Sequence, residues 1–566
     1  MIPSWKNVKL NKEPRTRYYI DPVRIVWKSE ESILERPELL LAGRDGQSVL
    51  SSPMDKACIM HHAGTAPGFL LDFGTELHGG VQICIAGGSN KDRRTARLRV
   101  RFGESAMEAM SELGGSTNAT NNHAVRDGVF EVSYMGAEEV GNTGFRFVRI
   151  DFSDEGHFVQ LLSVRAVAVM HDVEYKGSFR CSDELLNRIW DTGAYTVHLN
   201  MQDYLWDGIK RDRLVWTGDM HPETSTLQTV FGYHDVVPRS LDFIRDESPL
   251  PGWMTTFPTY SIWWILVHHD WFMHNGDLDY LLKQKLYMTG LLRQLGACVR
   301  DDGTVDIPNP FLDWPSSTNP EGVRAGAHAL FIWCMEAGAK LCKFMADEET
   351  SEFCRRTEAK LREVTPDHNN SKQAASLLAL VGLLDPLKAN EEVIAPDSPK
   401  GYSTFYGYYI LKARGEAGDI QGSLESIKAY WGGMLSLGAT TFWEDFDISW
   451  LDNAARIDEL TPDGKIDVHG TYGGYCYQGY RHSLCHGWAS GPTAWLSEYV
   501  LGVRVAEPGC RTIRVIPQLG DLEWAEGTFP TPHGIVRLKH SKKADGTIHS
   551  EIEAPEGVTV LEGIID

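Results

Sequence analysis

Between Asp207 and Asp219 the chain reads D-G-I-K-R-D-R-L-V-W-T-G-D, which sets three carboxylates, two guanidiniums and an ammonium around one tryptophan. Burying a carboxylate is costly unless it is paired, so Asp207, Asp212 and Asp219 require either solvent or cations such as Arg211 and Arg213. Such a mixture suits a polar cleft, and one chemistry that needs it is cleavage of a glycosidic bond. That reaction uses two carboxyl groups, one protonated beside the leaving oxygen and one ionised, standing roughly 6.5–9.5 Å apart where water must fit between base and sugar. Asp207 and Asp219 would favour the protonated form of Asp212, and Arg211 and Arg213 the ionised form, so the sequence leaves that balance open. Taken alone, the stretch is also accounted for by a solvated loop closed through Arg–Asp pairs.

A second carboxylate stands in G-A-T-T-F-W-E-D-F-D, where Glu444 follows Trp443 at the expected end of a helix. A surface acid beside a helix is the alternative there. Further on, R-H-S-L-C-H carries His482 and His486 four residues apart, beside Cys485. The spacing would suit a metal on a helix, but the glutamate of the H-E-x-x-H pattern is missing, and we expect no metal and no cofactor. A hydrogen bond from His486 to a sugar hydroxyl fits better, with a satisfied core histidine as the alternative. In P-N-P-F-L-D-W-P, Trp314 lies in a loop without an evident core role, which makes it a candidate wall of a sugar subsite. The sequence contains no P-loop, no G-x-G-x-x-G after a strand and no G-x-S-x-G elbow.

The elements that must position these residues change character along the chain. From about residue 20 to 170, short alternating segments (68–74, 81–86, 96–102, 145–152 and 161–169) are separated by Gly, Asn, Asp and Ser clusters, the pattern of a β-sandwich. Residues 108–122 read as a loop. At Ser182 the period becomes helical, with an acidic first turn and apolar residues at Leu185, Leu186, Ile189 and Trp190. Helical patterns recur to about residue 502, separated by long loops such as 308–321 and 445–480. Many helices with long alternate loops and no fixed repeat fit an α/α toroid better than a solenoid. Strand patterns return at 512–516, 534–539 and 547–553. The expected organisation is thus an N-terminal β-sandwich domain (1–174), a helical barrel (175–502) and a smaller C-terminal β-sandwich domain (503–566).

Composition narrows the partners. With 566 residues, 42% apolar and 23% charged, the chain is globular and large enough for several units. A net charge of −22 argues against nucleic acid or an anionic membrane. Seventeen tryptophans and twenty tyrosines are compatible with stacking on sugar faces. Ten cysteines without a C-x-x-C pair read as free, mostly buried thiols. The charged N-terminus does not resemble a secretory leader and no apolar run reaches membrane length. The chain as given thus reads as cytoplasmic, or as periplasmic or secreted if it is a processed form. Its oligomeric state is not legible.

Taken together, these motifs resemble the α-L-rhamnosidase group, glycoside hydrolase family 78, within the six-hairpin glycosidases. Asp207, Arg211, Asp212, Trp216, Gly218 and Asp219 follow the family's order, with Val215 where the family has glycine before the tryptophan. Gly438–Glu444 matches the family's G-A-T-T-x-W-E, and Ser483–His486 its S-x-N-H, with Cys485 in the asparagine position. The resemblance implies a central (α/α)6 barrel flanked by N-terminal and C-terminal β-sandwich domains, and an exo-acting, inverting enzyme without a cofactor that releases terminal α-L-rhamnose. It assigns Asp212 as general acid and Glu444 as general base, with Asp207, Arg211, Trp216, Asp219 and His486 holding the sugar. The family usually carries glutamate at the acid position, and Glu223 is an alternative acid. A related glycosidase for another sugar and a catalytically silent carbohydrate-binding relative are the competing expectations.

Overall fold

The computed structural model describes residues 12–50 and 54–563, so most of the charged N-terminal stretch lies outside the described residues. The first third forms β1 (Thr16–Ile20), β2 (Arg24–Lys28), β3 (Leu34–Glu35), β4 (Cys58–His61), β5 (Gly68–Gly88), β6 (Thr95–Gly103), β7 (Asp127–Ser133), β8 (Gly136–Phe152) and β9 (Phe158–Met170). They hydrogen-bond in the order β3-β4-β9-β5-β8-β6-β7, with β1 added on β9 and β2 on β5. Alternation explains the faces: in β6, Leu98, Val100 and Phe102 enter the core while Arg97 and Arg99 point away from it.

Two segments expected as separate strands, 68–74 and 81–86, are one strand of 21 residues. The glycines between them read as a break but serve as irregularities, since the register on β8 shifts on both sides of Leu77–Gly79. Gly79 sits at φ 141°, where an added Cβ would lie 2.0 Å from the Val167 carbonyl oxygen. The stretch expected as a loop from residue 108 opens inside a short helix, α1 (Ala106–Met110), capped by Ser105 Oγ, which accepts the Glu108 N–H at 3.1 Å. This unit closes over its own core, which includes Leu71, Ile83, Phe102, Phe145 and Val164.

After β10 (Ser178–Cys181) the chain becomes helical: α2 (Glu184–Asn200), α3 (Met220–Val230), α4 (Val236–Glu247), α5 (Pro258–Asn275), α6 (Leu278–Gly296), α7 (Pro320–Phe344), α8 (Glu348–Leu361), α9 (Lys372–Leu380), α10 (Pro386–Ala389), α11 (Gly407–Glu416), α12 (Ile420–Ser436), α13 (Val468–Thr471) and α14 (Gly491–Trp495). Helix α3 packs on α5, α5 on α7, α7 on α9, α9 on α11 and α11 on α14, and α14 returns to α3. Helices α2, α6, α8, α10 and α12 each pack against members of that series. The periodicity reading does not single out α3, α4, α9 or the four-residue α10 and α13, the last of which lies in the stretch 445–480 expected as a loop. Helix α3 buries Thr224, Thr226, Gln228 and Thr229, so no apolar stripe marks it. In α4, Pro238 reads as a breaker but occupies the first turn, where no helical N–H is lost.

The last strands are β11 (Val503–Val505), β12 (Thr512–Val515), β13 (Trp524–Thr531), β14 (Gly534–Lys542), β15 (Ile548–Glu553) and β16 (Thr559–Glu562). They form the sheets β10-β13-β14-β15 and β11-β12-β16, so β10 pairs with a strand more than three hundred residues later. The helices and these strands share one core, in which Phe179, Ile513, Val536 and Leu538 join Trp190 and Trp495. All ten cysteines are free, eight of them buried. No helix among the described residues is long and apolar enough to cross a membrane.

Candidate active site

All eight residues singled out in the sequence, Asp207, Arg211, Asp212, Trp216, Asp219, Trp314, Glu444 and His486, line one cavity of about 240 Å³. They arrive on loops between helices: 207–219 joins α2 to α3, Trp314 precedes α7, and Glu444 and His486 lie between α12 and α14.

The 207–214 loop is folded around the first aspartate. Asp207 Oδ2 accepts the Asp212 N–H at 2.8 Å and Oδ1 accepts the Leu214 N–H at 2.9 Å. Gly208 lets this loop approach its neighbours, since a Cβ there would stand 2.4 Å from the Arg211 carbonyl oxygen. The Arg211 guanidinium then meets both candidate catalytic carboxylates, with Nη1 3.2 Å from Asp212 Oδ1 and Nη2 donating to Glu444 Oε1 at 2.5 Å. One planar cation therefore spans the pair, and its reach limits how far apart they stand.

Glu444 is buried and held from several sides. Its Oε2 accepts the Ser483 N–H at 3.0 Å, its own N–H donates to the Ser483 carbonyl at 2.9 Å, and its carbonyl accepts Thr404 Oγ1 at 2.6 Å and Trp488 Nε1 at 2.9 Å. Burial raises its proton affinity, and Arg211 opposes that. Asp207 is pushed up to about 7, chiefly by burial and then by Asp212. Asp219, just before α3, is held well above the usual carboxylate range by burial and by Asp207, and Tyr260 Oη donates to it at 3.3 Å. His486 Nε2 lies 3.6, 3.8 and 3.9 Å from Asp207, Asp219 and Glu444. Burial, then Arg211 and His482, hold its imidazole neutral by pushing its pKa well below the ordinary value. Asp212 is the open member: its side chain is 20% exposed, against 5% for Glu444 and 4% for Asp207 and Asp219.

Aromatic rings complete the walls. Trp216 meets Tyr260 edge-on at 5.7 Å, Phe257 stacks on Phe311 at 4.7 Å, and Trp488 stacks on Phe405 at 5.2 Å while lying 4.4 Å from the His486 ring. The sequence reading did not pick out His123, Phe257, Tyr260, Cys476, Arg481 or Trp488 as lining residues. Trp488 stands two residues from His486 and had a positional signal. His123 had none: it comes from the N-terminal unit, in a stretch rich in Gly and Asn, and sets Nε2 3.3 Å from Asp212 Oδ1. Glu223 does not line the cavity. Its carboxyl is fully buried against Gly487, without a hydrogen-bond partner, and burial, Asp219 and Asp207 raise its proton affinity strongly.

Behind Glu444 the N-terminal unit supplies a charged support. Glu104, just after β6, accepts the Leu484 N–H at 2.6 Å and Ser483 Oγ at 3.3 Å. Lys210 Nζ lies 2.9 Å from Glu104 and 3.2 Å from Glu108, and donates to the carbonyls of Tyr480 and His482. Glu104, Glu108 and His469 are the one convergent set of metal-type donors among the described residues. Lys210 is already paired with both carboxylates, and the His469 nitrogens face Ser105 Oγ at 2.8 Å and the His482 carbonyl at 2.9 Å. His482 Nε2 accepts the Asp445 N–H at 2.8 Å.

Comparison with known proteins finds likenesses to rhamnosidases. The model of the bacterial alpha-L-rhamnosidase six-hairpin glycosidase domain matches residues 174–379, and that of the bacterial alpha-L-rhamnosidase C-terminal domain matches residues 502–561. An alpha-L-rhamnosidase of Alteromonas sp. (strain LOR) is 25% identical over 456 residues, which are 71% of this chain and 46% of the relative. Among solved structures, the GH78 family rhamnosidase of Bacillus sp. GL1 superposes with a TM-score of 0.74 at 22% identity, over 93% of this chain and 55% of that one. A rhamnosidase from Klebsiella oxytoca with rhamnose bound gives a TM-score of 0.66 at 19% identity, over 86% of this chain and 96% of that one. The chain thus spans about half the length of the Alteromonas relative and of the Bacillus structure.

Proposed function

We propose, for a chain that resembles the α-L-rhamnosidase group of glycoside hydrolase family 78, that it is an exo-acting glycoside hydrolase releasing terminal α-L-rhamnose with inversion. The observation that carries this reading is the Arg211 bridge between Asp212 and Glu444 inside a cavity that is closed at the Asp207–Asp219–His486 end and open at the Asp212 end. The terminal sugar occupies the closed end, bonded by Asp207, Asp219 and neutral His486 and bordered by Trp216 and Trp488. Asp212, at the open end, faces the leaving oxygen and gives it a proton. Glu444 takes a proton from the attacking water. Its two oxygens each have one partner, which leaves further lone-pair directions free for that water. One proton enters the carboxyl pair as one leaves it, so solvent exchange restores the starting state. Glu223 does not line the cavity, which favours Asp212 as the acid.

The supporting frame is an (α/α)6 barrel. Its support is the cyclic packing of α3, α5, α7, α9, α11 and α14, with α2, α6, α8, α10 and α12 against members of that ring. The proposed units are 1–174, 175–502 and 503–566.

The test is hydrolysis of an aryl α-L-rhamnoside with the first-formed anomer followed by NMR. The expected product is β-L-rhamnose, and an α product would reject inversion. Glu444→Gln is expected to lose about 10²–10⁴-fold in kcat. Asp212→Asn should lose a comparable factor on a substrate with a poor leaving group and much less on a nitrophenyl glycoside. Full activity of Asp212→Asn on the poor leaving group would remove it as the acid, and a wild type inert on a broad aryl-glycoside panel that still binds sugars would replace the hydrolase with a binding protein.

A further inference from the structure

On the rim of the cavity, the long segment between Glu444 and His486 brings in three residues whose chemistry a neutral sugar in the closed end does not use. Tyr475, largely exposed, stacks on Trp314 with ring centroids 6.0 Å apart and 26° between planes. The next residue, Cys476, accepts from Arg211 Nη2 at 3.9 Å, which ties this rim to the carboxyl pair. Arg481 Nε donates to the Cys476 carbonyl at 2.8 Å and fixes the base of the guanidinium. Among the described residues its two terminal nitrogens have no such partner. Four carboxylates line the same cavity, yet among the described residues none forms an ion pair with Arg481, while Arg211 is committed to Asp212 and Glu444. In a chain of net charge −22, a guanidinium left unpaired beside four acids is a cation held in place for something the protein does not itself supply.

We propose that this rim is a leaving-group subsite for an acidic sugar, a uronic acid residue whose carboxylate pairs with Arg481 and whose ring lies on the Trp314–Tyr475 pair. The placement rests on the reading that Asp212 faces the leaving oxygen. Two features favour a carboxylate: its planar, two-oxygen edge matches a guanidinium fork, and a pyranose face carries the apolar C–H surface that an aromatic pair accepts. The subsite selects for charge on the unit being released, and the closed end recognises the sugar being removed.

The test uses binding, so that it does not depend on turnover. In the Glu444→Gln protein, titration calorimetry compares α-L-rhamnosyl-glucuronic acid with its carboxyl-reduced counterpart and with a 6-sulfated one. The uronate is expected to bind about tenfold more tightly than the carboxyl-reduced disaccharide, with the preference shrinking as salt is added. Arg481→Gln in the same background should abolish the preference, and Arg481→Lys, which keeps the charge without the fork, should retain part of it. Equal affinities, no binding of either disaccharide, a preference that survives Arg481→Gln, or tighter binding of the sulfate would each overturn the proposal. Wild-type activity on an aryl α-L-rhamnoside separates the two readings. Turnover there with equal affinities rejects only the subsite, and a retained acid preference without turnover rejects the catalytic reading.

Discussion

Arg211 holds two carboxylates for which different tasks are proposed. Burial raises the proton affinity of Glu444, and Arg211 is the main influence opposing it. A base must be ionised to work, so Arg211→Ala should move the acid limb of the kcat/KM profile to higher pH. An unmoved acid limb would mean that Glu444 does not control it. Asp207 gives a second pH effect, on stability. Its carboxyl is raised to about 7 in the folded chain from an ordinary 3.8, so between those values the folded state binds a proton that the unfolded state has released. The associated stability is fully present below about 4 and is lost as pH rises through about 7, an effect on the order of a few kcal/mol. Thermal melts should therefore show Tm falling between pH 5 and pH 8, with a shallower slope in Asp207→Asn, and an unchanged slope in that variant would remove Asp207 as the cause.

At the scale of elements, the loops that carry the acids are short of regular structure and depend on buried charges from elsewhere. Lys210 sits between Glu104 and Glu108 while holding the carbonyls of Tyr480 and His482, so it joins the 207–219 loop, the N-terminal unit and the 480–486 segment. Lys210→Met leaves both glutamates buried without their cation and should cost about 3–5 kcal/mol, read as a drop in Tm. Replacing Glu104 and Glu108 by Gln in the same variant should recover part of it. No recovery would assign the loss to the two carbonyl contacts. These dependencies also mark where sequence reasoning stops. That the eight candidate residues could share one cleft was legible because each stands in a short local motif, and the long amphipathic helices announced themselves by period. Helix α3 did not, because its buried surface mixes Met220, Leu227 and Val230 with threonines and a glutamine, which bond to the helix's own carbonyls or to those of Ser490 and Asp270. His123 and Arg481 did not, because a lone histidine or arginine in an irregular stretch acquires meaning only from what folds against it. Glu104 follows a strand whose alternation was read correctly, but nothing local says that its carboxylate will reach Ser483 and Leu484.

Across the whole molecule, the N-terminal unit is a working part of the cavity. Besides His123 and Glu104, it sends Arg146 Nη1 to the Gly438 carbonyl at 3.0 Å, and the Glu76 N–H to Thr440 Oγ1 at 2.9 Å, clamping the start of the segment that ends in Glu444. It does so as a body with a separate core. The C-terminal strands are different, since β10 ties them to the entry of α2 and their apolar residues enter the helices' own core. The consequence is one of cooperativity. Heat should melt the helices and the C-terminal strands in a single transition, with β1–β9 the only segment able to melt apart from it, so calorimetry is expected to resolve two endotherms at most. A third, carried by residues 503–563 alone, would contradict this. A chain cut before β11 should then expose apolar surface throughout the helical region and fail to hold the cavity's shape, although every residue lining that cavity precedes the cut.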